Sequence, residues 1–106
     1  MDNKEVEYKF SAKVYHYSSS PEMIGWTMVS LPKELSAAIR DNFKSLEEGW
    51  GRMKVTAKIG KSEWQTAIWF DTKQDSYLLP LKSAIRKKEK IEAGSDVTIS
   101  IWLAEQ

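Results

Sequence analysis

Two cations four residues apart, Lys82 and Arg86, are the residues most suited to hold a ligand. That spacing puts them one turn apart on one helical face. With the indoles of Trp50 and Trp64 as walls, they would suit a small anionic or planar ligand. The run from Lys82 to Glu92 adds Lys87, Lys88 and Lys90, against Glu89 and Glu92, for a local net charge of +3. Clustered Lys and Arg are also what releases counterions from nucleic acid, so Lys82, Arg86, Lys87, Lys88 and Lys90 form the alternative, a nucleic-acid surface. The plainer reading is a solvated helix whose lysines complement the C-terminal end of its dipole.

Catalytic chemistry has less to draw on. His16 is the only histidine, with no carboxylate or second ligand at a recognisable spacing. Asp71, Asp75 and Asp96 fall in loops and turns, where carboxylates serve the backbone. The chain has no cysteine, which removes thiolate nucleophiles, zinc–thiolate sites and disulfides. The glycines are scattered rather than gathered into a phosphate loop. No catalytic residue, metal or cofactor is expected. The reading is a binding module for a small molecule or a protein, not an enzyme.

Elements to carry these residues follow from periodicity. Val6, Tyr8, Phe10, Ala12 and Val14 alternate with polar residues, a half-buried strand. Residues 18–21 are a loop, and Gly25 precedes a second strand from Trp26 to Leu31. Pro32 opens a helix with Leu35, Ala38, Ile39, Phe43 and Leu46 on one stripe and Gly49 as its cap. Met53, Val55, Ala57 and Ile59 form a third strand, and Gly60 turns it into a fourth, Trp64 to Phe70. Tyr77 to Leu79 is a strand halted by Pro80. Leu81, Ala84 and Ile85 mark the basic helix. Gly94 then turns into a last strand with Val97, Ile99, Ile101 and Leu103 on one face. Tyr15, Tyr17, Trp69 and Trp102 fall on the opposite faces, either as a stacking platform or under a cover.

Strand, proline, helix, glycine and strand occur twice, with Pro32 and Pro80 48 residues apart. Neither half can cover its own apolar face. The expected fold is mainly β, a small closed β-barrel of six main strands and two short helices with an internal pseudo-twofold. At 106 residues this is one domain, 1–106, and a monomer suffices to fold it. A net charge of +1 points to no partner by itself. No apolar run reaches the length of a membrane span, and the charged start reads as no signal peptide, so the cytoplasm is the expected location.

Gly25-Trp26, Leu31-Pro32, Trp50-Gly51, Ile59-Gly60, Trp64-Gln65-Thr66, Tyr77-Leu78-Leu79-Pro80 and Ala84-Ile85-Arg86-Lys87 with Gly94 and Val97 together resemble one bacterial family. It is the family called Domain of Unknown Function nineteen-oh-five. The resemblance implies a double-split β-barrel and brings no activity or catalytic residues. Where that family has phenylalanine-proline after the fourth strand, this chain has Trp69-Phe70-Asp71. Ile85-Arg86-Lys87, Ile91, Gly94 and Val97 are also similar to swapped-hairpin DNA-binding domains of the AbrB and MazE type, which imply one such unit per chain of a dimer.

Overall fold

The computed structural model describes residues 7–17, 26–43, 47 and 51–103. Residues 18–21, Gly25, Leu46 and Gly49, all given places above, lie outside the described residues. Among the described residues, seven strands and two helices follow in the order β1 (Glu7–Lys13), β2 (Tyr15–Tyr17), β3 (Trp26–Ser30), α1 (Lys33–Phe43), β4 (Arg52–Ile59), β5 (Ser62–Asp71), β6 (Ser76–Pro80), α2 (Ser83–Glu89) and β7 (Asp96–Leu103). All strand pairs are antiparallel, and the sheet runs β1-β7-β4-β5-β6-β3-β2, curled into a half-barrel.

The first strand of the expected six is two strands here, divided at Val14. Its earlier part pairs with β7, from Glu7 opposite Trp102 to Lys13 opposite Asp96. Its later part pairs with β3, Tyr15 opposite Met28 and Tyr17 opposite Trp26. Val14 itself is 1% exposed and bonds to the turn before β7, its N–H to Ser95 O at 2.8 Å and its carbonyl accepting Gly94 N–H at 2.7 Å. The two outermost strands of the sheet are thus consecutive in the chain.

The internal repeat is present, with a corrected equivalence. Val29 and Leu79 pair directly across β3 and β6. Leu31 N–H donates to Tyr77 O, and Leu81 N–H donates to Thr27 O, both at 2.9 Å. Ser36 N–H to Pro32 O is matched by Arg86 N–H to Lys82 O. Each matched pair lies 50 residues apart, so Pro32 corresponds to Lys82 and not to Pro80. Pro80 closes β6, buried and opposite Met28, whereas Pro32 is exposed ahead of α1. Proline is tolerated at both kinds of position because neither demands its missing N–H. That tolerance made two unlike punctuation marks look alike. In the other strand pair the relation passes through Ala57 opposite Ile101, 44 residues apart.

Alternation along each strand builds the core. Met53, Val55, Ala57 and Ile59 of β4 and Val97, Ile99, Ile101 and Leu103 of β7 are buried with Val29, Ile39, Ile68 and Leu79. Each large aliphatic side chain contributes about 1.5–3 kcal/mol on burial. Gly51 enters β4 at φ 69°, and a Cβ there would stand 3.1 Å from Phe70 Cβ. Gly51→Ala is expected to cost about 1–2 kcal/mol from the left-handed backbone alone, read as a lower urea midpoint. An unchanged midpoint would mean that the backbone relaxes out of that conformation.

Candidate functional site

α2 is shorter than the stretch of cations it carries. Lys82 precedes it in extended conformation, and Lys90 ends it at φ 57°, in the left-handed region. Arg86, half-buried, donates from Nε to Leu81 O at 3.2 Å, which fixes the plane of its guanidinium. Glu89 is the one acid within the helix, and it is turned away from the cations. Its Oε2 accepts the Ser62 hydroxyl at 2.6 Å under the β4–β5 hairpin, against Gly60. A shallow groove of about 480 Å³ remains beside the helix, lined by Ser83, Arg86, Lys87, Lys90, Ile91 and Glu92. Lys87 and Lys90 are exposed and have no ion-pair partner among the described residues.

The four residues expected at one ligand site are therefore distributed. Lys82 and Arg86 share the start of α2, with Lys82 exposed and outside the groove lining. Trp64 is 7% exposed and belongs to the core, opposite Ala57 on β4; its Nε1 has no hydrogen-bond partner among the described residues. Trp50 lies outside the described residues. Of the alternative nucleic-acid set, Lys88 is exposed and does not line the groove, while Lys87 and Lys90 do.

A second concavity, about 410 Å³, lies on the outer face of the β4–β5 hairpin, where Arg52, Lys54, Gln65 and Trp69 meet. The Arg52 guanidinium is 5.7 Å from the Trp69 ring centroid, within cation–π range. His16 is exposed on β2 opposite Thr27. Among the described residues no three His, Asp or Glu side chains are grouped to hold a metal ion, and no helix is long and apolar enough to cross a membrane.

A buried polar network was not foreseen from the residue pattern. Tyr77, fully buried on β6, donates its hydroxyl to Glu47 Oε1 at 2.7 Å, and Glu47 is held by Arg40 Nε at 3.4 Å. The Arg40 guanidinium sits 4.0 Å over the Phe70 ring, which meets Tyr77 edge-on at 5.2 Å. Ser36 Oγ, also fully buried, accepts the Tyr77 N–H. Burial pushes the Tyr77 phenol well above its ordinary value. The hydrogen bond to Glu47 and the charge of Glu47 push the same way, and Arg40 opposes them. This is a staple between α1, the chain after it and the sheet. Its phenol is too well held to give up a proton near neutrality.

A family model described as domain of unknown function, DUF1905, matches residues 10–101. The chain belongs to the DUF1905 family. The match takes in both helices and parts or all of the seven strands described. Comparison with curated proteins returns no match.

Proposed function

We propose that this DUF1905 chain is a cytoplasmic binding module, monomeric and without catalytic chemistry, that holds a small anionic ligand along α2. The observation that carries the reading is the position of Glu89. Its hydrogen bond to Ser62 draws the helix's own acid beneath the hairpin, so Arg86, Lys87 and Lys90 face the groove with only Glu92 to offset them. The Arg86 side chain is already oriented by Leu81 O, so less conformational freedom is lost on binding. A small anion suits the site better than a duplex, because seven helical residues span only about 10 Å. The same reading takes the half-barrel as a closed double-split barrel, with β1 and β2 acting through Val14 as one strand.

Calorimetric titration with inorganic phosphate and nucleoside monophosphates tests this, with duplex DNA at two salt concentrations as the competing case. Arg86→Gln combined with Lys90→Gln is expected to weaken small-anion binding by about tenfold or more, while the variant stays folded by circular dichroism despite losing the Arg86 bond to Leu81 O. Steep salt-dependent binding of DNA, with no response to the small anions, would replace the reading with a nucleic-acid surface on the same helix.

A further inference from the structure

The largest exposed apolar side chains among the described residues are Trp26, 58% exposed, and Tyr17, 49% exposed. They are direct cross-strand partners on β3 and β2. Val29 of the same strand points into the core, so strand parity turns Trp26, Met28 and Ser30 to the outer face. Tyr15, opposite Met28, lies on that face too.

Further along the same face, from Tyr15 to the far end of β3 at Ser30, lies a circuit of neutral hydrogen bonds. Ser30 Oγ donates to Gln74 Oε1 at 2.8 Å, so the Tyr15 hydroxyl supplies the hydrogen between itself and Ser30 Oγ, also 2.8 Å. Gln74 Nε2 then reaches back to the Tyr15 oxygen at 3.5 Å. The circuit fixes the carboxamide. Its second Nε2 hydrogen has no acceptor among the described residues.

We infer that this face is a second binding surface, independent of α2, and that it takes a neutral oligosaccharide. Two rings facing the same way from paired positions on neighbouring strands, whose axes lie about 4.8 Å apart, offer adjacent apolar platforms for the C–H face of a pyranose. The oriented amide, with the hydroxyls of Tyr15 and Ser30, supplies the few fixed polar groups that orient a ligand against such walls. Charge decides between ligands. None of Tyr15, Tyr17, Trp26, Met28, Ser30 and Gln74 is charged, and the residues flanking Gln74, Lys73 and Asp75, cancel. A polyanion such as single-stranded nucleic acid finds the aromatic surface but not the cations that carry its affinity.

The test follows the Trp26 indole N–H signal by NMR while cellohexaose, chitohexaose, maltohexaose or an oligothymidylate is added to the full chain. At least one hexasaccharide is expected to shift that signal, with an affinity indifferent to added salt. Trp26→Ala and Gln74→Ala should each weaken the effect by about tenfold, Trp26→Phe should retain part of it, and Arg86→Gln should leave it unchanged. Circular dichroism shows that each variant is folded. No shift with any hexasaccharide at millimolar concentration overturns the proposal. So does binding that survives Trp26→Ala, or a shift produced only by the oligothymidylate and abolished by salt.

Discussion

Ile99→Ala is expected to destabilise the protein by about 2–5 kcal/mol, the cost of the lost transfer energy and of the cavity left behind. Ile99 is fully buried on β7, opposite Phe10 of β1. Its neighbour Thr98 is exposed and meets Ser11 Oγ at 3.1 Å. Thr98→Ala should accordingly change stability by no more than about 0.5 kcal/mol. Urea unfolding of the two variants is a test of register as much as of packing. A strand displaced by one residue exchanges its faces, and the two sensitivities would then be reversed.

Tyr77→Phe should cost about 1–3 kcal/mol, because it leaves a mostly buried carboxylate short of a donor. The Glu47 side chain is 12% exposed and keeps only the more distant Arg40 contact. The substitution also has a signature in pH. The folded phenol holds its proton above the ordinary value of 10.0, so the unfolded chain releases a proton first as pH rises. Stability is therefore fully present below about pH 10 and falls above it, by about 1.4 kcal/mol per pH unit from this group. Unfolding midpoints measured from about pH 8 to about pH 11 should show a shallower alkaline decline in Tyr77→Phe than in the parent. Parallel declines would assign the alkaline loss to lysines instead.

Strand faces were legible because alternation has a period of two and a half-buried sheet enforces it. Val97, Ile99, Ile101 and Leu103 are buried as their spacing requires. The same parity contained the exposure of Trp26: with Val29 and Leu31 inward, residue 26 must face out. Its residue type obscured that, since a tryptophan is more often assigned to a core than to a surface. Trp64 shows the opposite case, an indole expected at a groove wall but packed in the core. The basic helix was visible, but its boundary was not. Gly94 turns at positive φ as its place before the last strand suggests, but Lys90, which no spacing marks, ends α2 in the left-handed region. Side-chain pairs far apart in sequence were not legible at all. Glu47 and Tyr77 are 30 residues apart, and Ser62 and Glu89 are 27 apart. No local pattern reports such a meeting, because the sheet order that brings each pair together is a property of the whole chain.

The pairing of β1 with β7 has a consequence for synthesis. Eighty-two residues separate Lys13 from its partner Asp96. At roughly 5–20 residues per second, β1 waits about 4–16 s for the strand that will cover it. Throughout that interval the alternating row from Tyr8 to Ala12 is a ready edge for another nascent chain. Glu7, Lys9 and Lys13, interleaved with that row and exposed, are the charges that keep such an edge from finding the wrong partner. Their first service to the protein therefore comes before it is folded.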